Sequence, residues 1–134
     1  MLCYRAFMLV GTGIDIVEIE RVAQSIARYG DRFLNKIFTP GEIAYCGHKK
    51  NFAESFAARF AAKEAGAKAL GTGIQYGVSW KELEIRRIPG QRPSLHFSGR
   101  ALEFANRLGV VHVSLSLTHT ATIAMASVQL ESAG

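Results

Sequence analysis

NFAESFAARFAAKEAGAKAL, residues 51–70, carries the clearest periodicity in the chain. Alanine loses no side-chain entropy on entering a helix, so this run predicts one over Asn51–Leu70, with Asn51 as its N-cap and Gly71 as its stop. Phe52, Phe56 and Phe60 step by four and form one slowly drifting stripe, and the same steps continue through Glu64 to Lys68. A stripe that begins by filling a core therefore ends in two charged groups. Burying a carboxylate or an ammonium without a partner is costly, so such positions hold a pair, a metal or a ligand. On spacing alone, a Glu64–Lys68 pair on a solvated helix end is the commoner outcome.

Upstream, Met8–Val17 (MLVGTGIDIV) reads as a strand interrupted by Gly11 and Gly13. From Glu18 the period changes: Ile19, Val22, Ile26, Tyr29 and Phe33 mark an amphipathic helix, broken near Gly30-Asp31. Arg21, Arg28 and Arg32 fall on the side away from that stripe, either as a solvated face or as a ridge that docks an acidic helix. Thr39-Pro40-Gly41-Glu42 opens a shorter helix, with threonine as cap and proline in its first turn.

Downstream, Glu82–Ile88 and Ser94–Phe97 read as strands joined at Pro89-Gly90-Gln91. A helix follows over Gly99–Leu108, capped by Ser98, and then the strands Val110–Thr118 and Thr122–Gln129. In the first of these, Val111, Val113, Leu115 and Leu117 alternate with His112, Ser114, Ser116 and Thr118, giving one apolar and one small polar face. Hairpins imply antiparallel pairing, and helices laid on such a sheet make an α+β domain over residues 8–134. Residues 1–7 precede a second methionine, Met8, and are set aside as an extension or disordered arm.

The 134 residues suit one domain able to bury its own core, with 49% hydrophobic and 20% charged residues. Basic residues exceed acidic ones by five, which favours an anionic partner: nucleic acid, nucleotide or acidic protein. The aromatics lie on helical core stripes rather than interleaved with basic residues on strands, which argues against nucleic acid. No apolar run approaches the roughly 20 residues of a membrane span. Cys3 and Cys46 form no metal-binding spacing, and two thiols in a chain of this size point to a reducing, cytoplasmic setting.

Asp15 stands within Ile14-Asp15-Ile16-Val17, where aspartate has poor strand propensity. It either points outward or, with Glu64, offers hard oxygens to a magnesium ion, which is held by one or two carboxylates plus water and substrate phosphates. Gly11-Thr12-Gly13 and Gly71-Thr72-Gly73 could bring backbone amides to phosphates, but neither continues into a Walker loop. His119, just beyond a strand, is a further candidate phosphate donor, although a solvated turn histidine is the commoner outcome. A different magnesium-dependent nucleotide transferase also fits these residues.

The run Gly11-Thr12-Gly13-Ile14-Asp15-Ile16-Val17-Glu18-Ile19-Glu20-Arg21 resembles the opening of the bacterial holo-acyl-carrier-protein synthases, the small class of phosphopantetheinyl transferases. Phe56-Ala57-Ala58-Arg59-Phe60-Ala61-Ala62-Lys63-Glu64-Ala65, followed by Lys68-Ala69-Leu70-Gly71-Thr72-Gly73-Ile74, is similar to that family's second signature. The likeness runs from Met8 to Ser114-Leu115-Ser116-Leu117-Thr118-His119.

The resemblance implies the 4′-phosphopantetheinyl transferase fold, assembled as a homotrimer with sites at subunit boundaries. It implies transfer of phosphopantetheine from coenzyme A to a serine of an acyl carrier protein, with Mg²⁺ as cofactor and a place in fatty acid biosynthesis. Under it, Asp15 and Glu64 hold the metal, and Glu64 and Lys68 are catalytic. Arg59, Lys68, Gly71, Thr72, Gly73, Ser116 and His119 bind coenzyme A, and Arg21, Arg28 and Arg32 meet the carrier. Glu64 or a metal-bound water would accept the serine proton.

Overall fold

The computed structural model describes residues 6–134; residues 1–5, with Cys3 and most of the expected extension, lie outside the described residues. Strand β1 (Phe7–Glu18) leads into α1 (Ile19–Tyr29) and α2 (Asp31–Ile37). Phe7 already pairs with Ala133, so the sheet starts one residue ahead of Met8. Gly30, at φ 54°, separates the two helices in a left-handed conformation that suits glycine. Arg32 therefore sits on α2 rather than on the helix that carries Arg21 and Arg28.

Helix α3 (Pro40–Gly47) opens on a capping box. The Glu42 N–H donates to Thr39 Oγ1 at 3.2 Å, and the Thr39 N–H donates to the Glu42 carboxylate at 2.8 Å. Helix α4 (Phe52–Ala69) follows, starting without a side-chain bond from Asn51. After a short 3₁₀ turn at Trp80–Glu82, β2 (Leu83–Arg86) and β3 (Ser94–Phe97) form a separate two-stranded antiparallel sheet. The next helix, α5 (Gly99–Arg107), is capped by another residue than expected: Ser98 makes no cap, and the Glu82 carboxylate accepts the Arg100 N–H at 2.7 Å. Strands β4 (Val110–His119) and β5 (Ile123–Ala133) complete the chain.

The main sheet has the order β1-β5-β4, antiparallel throughout, and α4 lies across it. Gly11 and Gly13 do not break β1. They lie under α4, where a Cβ at Gly11 would strike the Ala69 carbonyl and one at Gly13 the Ala65 carbonyl. Their missing side chains let helix and strand touch. This places Asp15, two residues on, toward the helix, while Ile14 and Ile16 point away.

One core joins α4 to both sheets through Ala61, Ala65, Leu83, Leu95, Val128 and Leu130. A second, built on Val22, Phe38, Phe56 and Ala57, lies under the first three helices. Phe52 belongs to neither; at 43% exposure it leaves the expected core stripe to begin at Phe56. A register shift between Val110 and His112 also moves Val111 out of the expected apolar face. Val110 packs on the core instead, with Val113, Leu115 and Leu117.

Candidate active site

Asp15 from β1 meets the C-terminal half of α4. The Lys68 ammonium donates to Asp15 Oδ1 at 2.9 Å and to the Ile14 carbonyl at 3.1 Å. Glu64, one turn earlier on the same helix, is half-buried; burial first, and then the Asp15 charge, push its carboxyl above the usual range, against the opposing pull of Lys68. The stripe that runs from Phe56 into Glu64 and Lys68 thus ends in a charged cluster in which Lys68 pairs with Asp15. Asp15 and Glu64 open into a cleft of about 610 Å³, bordered also by Arg21, Phe33 and Phe60.

A second, smaller cleft of about 220 Å³ lies at the other end of α4. Arg59 and His119 line it, with Tyr45, Glu54 and Arg87, which sequence reasoning did not single out. The Arg59 guanidinium lies 4.5 Å from the Tyr45 ring centre and donates to the Ser55 carbonyl at 3.3 Å. His119 Nε2 is 3.1 Å from a Glu54 carboxylate oxygen. Partial burial raises the Tyr45 phenol, but Lys49, Arg59 and Arg87 outweigh it and leave the phenol below its ordinary value. Arg59 and Arg87 outnumber Glu54 in the lining of this cleft, which suits an anion.

The two clefts share no lining residue within one chain. Ser116 lies on the exposed face of β4 and borders neither. The Gly71–Gly73 amides are already engaged: Gly71 N–H donates to Lys68 O, and Thr72 and Gly73 N–H donate to Ala67 O. With Gly71 at φ 83° and Gly73 at φ 62°, this segment closes α4 and offers no free amide cradle. Arg21 borders the larger cleft. Arg28 stacks by Tyr29 at 5.3 Å, and Arg32 flanks a shallow depression with Tyr29, Phe33 and Lys36.

A family model described as the 4′-phosphopantetheinyl transferase superfamily matches residues 11–126. The chain belongs to that superfamily. This transferase is 56% identical to the holo-[acyl-carrier-protein] synthase of Koribacter versatilis, over 92% of this chain and 99% of that one. It is 51% identical to the synthase of Solibacter usitatus over the same shares. The crystal structure of a holo-(acyl-carrier-protein) synthase from Bacillus anthracis, in complex with CoA (3′,5′-ADP), superposes with a TM-score of 0.78. The two are 37% identical, and the match covers 94% of the transferase and 99% of that chain.

The donor set can be tested against a divalent cation. Among the described residues no group of three or more His, Cys, Asp and Glu gathers to hold a metal. Asp15 and Glu64 supply two carboxylates, which suits Mg²⁺, an ion that keeps waters and shares its shell with substrate phosphates. Zinc, which favours a full set of protein ligands, is a poor match.

Proposed function

We propose that the transferase moves 4′-phosphopantetheine from coenzyme A to a serine hydroxyl of an apo-acyl carrier protein, releasing adenosine 3′,5′-bisphosphate. The observation that carries this reading is the junction of β1 and α4, where Asp15 and Glu64 line the larger cleft and Lys68 pairs with Asp15. Breaking a pyrophosphate link develops negative charge on its oxygens, and groups fixed in advance around that charge lower the barrier. Lys68, held by Asp15 and the Ile14 carbonyl, is a pre-oriented cation for that purpose. Asp15 and Glu64 would hold Mg²⁺, which when bound supplies charge neutralisation for the pyrophosphate. The serine must lose its proton as it attacks phosphorus, and Glu64, which lines the cleft, would accept it.

Arg59 and His119 would bind an anionic part of coenzyme A at the smaller cleft. Since the two clefts share no wall, a donor that reaches both is best served by two chains. The exposed face of the main sheet supports this: Ile14 is 59% and Ile16 57% exposed, directly flanking Asp15. A homotrimer that covers this face would set Asp15 and Glu64 of one subunit beside Arg59 and His119 of its neighbour. Ser116, on the same open face, would then reach the shared site.

Arg21, beside the cleft, and Arg28 and Arg32 farther along would receive the acidic surface of the carrier. No helix among the described residues is long and apolar enough to cross a membrane. We place the protein in the cytoplasm, where its donor and carrier are found, acting in fatty acid biosynthesis. Incubation with apo-carrier, coenzyme A and Mg²⁺, followed by mass measurement of the carrier, tests the whole reading: addition of one phosphopantetheine is expected, and an unmodified carrier refutes it.

A further inference from the structure

Glu42 and Lys63 form an ion pair at 2.7 Å with both side chains wholly buried. Every bond around it is used. The Lys63 ammonium also donates to the Leu83 carbonyl at 2.6 Å and the Trp80 carbonyl at 3.1 Å. The Glu42 carboxylate accepts the Thr39 and Ile85 N–H groups, each at 2.8 Å. Four pieces of the chain (α3, α4, the Trp80 turn and β2) are thus tied at one point. A buried pair is weak evidence of stability, because desolvation offsets most of its attraction; its use is more often to select one arrangement.

That arrangement bears on the cleft. Lys63 precedes Glu64 and follows Arg59 by one turn, so fixing its azimuth fixes where both neighbours point. Its bond to the Trp80 carbonyl also anchors the backbone of Trp80, whose ring stacks on Phe60 with centres 5.0 Å apart and planes at 28°. Phe60 in turn walls the cleft that contains Asp15 and Glu64.

We propose that the Glu42–Lys63 pair is a positioning device for the active cleft, setting the rotation of α4 and, through Trp80, the Phe60 wall against which substrate lies. The proposal rests on the reading of that cleft as the transfer site. Neither residue touches the reacting atoms.

The chain's single tryptophan is Trp80, so its fluorescence reports on the wall without reference to activity. Glu42→Gln with Lys63→Met removes both charges together and avoids leaving one buried alone. The expected result is a folded protein by circular dichroism, with a shifted Trp80 emission maximum and kcat lowered by about ten- to a hundred-fold, as for a small misplacement of reacting groups. A folded double variant with unchanged emission, kcat and KM would reduce the pair to packing and overturn the proposal.

Trp80→Ala covers the case in which the double variant does not fold. It keeps the backbone carbonyl and the ion pair but removes the ring behind Phe60. The same loss of kcat is expected, and wild-type turnover would overturn the link to the cleft. If the wild-type protein itself transfers nothing, the function fails, whereas the emission of the double variant still decides whether the pair positions the wall.

Discussion

At the scale of single residues, the proposed chemistry is concentrated in Asp15 and Glu64. Replacing either by alanine should abolish phosphopantetheine transfer while leaving the circular dichroism spectrum unchanged, since loss of one ligand leaves the pyrophosphate charge poorly compensated. Near-wild-type turnover at saturating coenzyme A and ordinary Mg²⁺ would remove them from the mechanism. Cys46 offers a test of burial: its enclosure pushes the thiol up to about 11. At pH 8 the side chain is thus neutral as well as covered, and in a Cys3→Ser background it should resist a thiol reagent until denaturant is added. Rapid labelling of the native protein would contradict the packing around Phe38 and Phe56.

Asp15 was legible in the sequence because an acid between isoleucines contradicts strand propensity, and Glu64 because it ends an apolar stripe. Glu42 and Lys63 were not. Thr39 and Glu42 spell a capping box, which explains one role of the glutamate and hides the other, and Lys63 appears only as one residue of the family signature. The available signal was its seven-residue step from Phe56, which puts an ammonium on the buried side of α4.

At the scale of elements, the contact between β1 and α4 depends on absent side chains. Gly13→Ala should cost about 1–3 kcal/mol, because the new methyl meets the backbone of Ala65 and Ala69, which cannot swing aside. Gly47→Ala should cost less, since nothing lies near that position and its backbone is not in the left-handed region. Equal midpoints in urea for the two variants would show that helix and strand are not in the described contact.

The arginines of α1 are tested through kinetics. Arg28 lies away from the cleft lining, and Arg28→Glu should raise KM for the carrier and flatten its salt dependence, with the KM for coenzyme A little changed. Equal weakening of both substrates would argue against a dedicated docking surface.

Helix α4 was readable from alanine content and spacing, and the break at Gly30 from one residue. The Trp80 turn and the bulge at Val111 were not, because each is imposed by contacts distant in sequence: Lys63 holds the Trp80 carbonyl, and β5 sets the register of β4. The ridge of three arginines was drawn across the Gly30 break, which sets Arg32 on a second helix.

At the scale of the whole molecule, the separation of the two clefts makes a prediction about mixtures. Asp15→Ala and Arg59→Ala should each be inactive alone, but in the proposed trimer mixed rings would contain an interface at which the intact Asp15 of one chain faces the intact Arg59 of the other. Dissociating and reassociating the two variants together should restore part of the activity. If mass spectrometry shows mixed assemblies with no recovery, both clefts must serve a single chain, or the smaller one is not part of the site.

The placement of Ile14 and Ile16 on either side of Asp15 has a kinetic consequence. If the strand that presents the carboxylate is also the strand that neighbours cover, dissociation exposes oily surface and dismantles the catalyst in the same event. Output per molecule then depends on how crowded the enzyme is: turnover normalised to protein should fall on serial dilution, with a lag on re-concentration that reflects bimolecular encounter. Cells that lower expression of such a protein would lose activity faster than they lose protein.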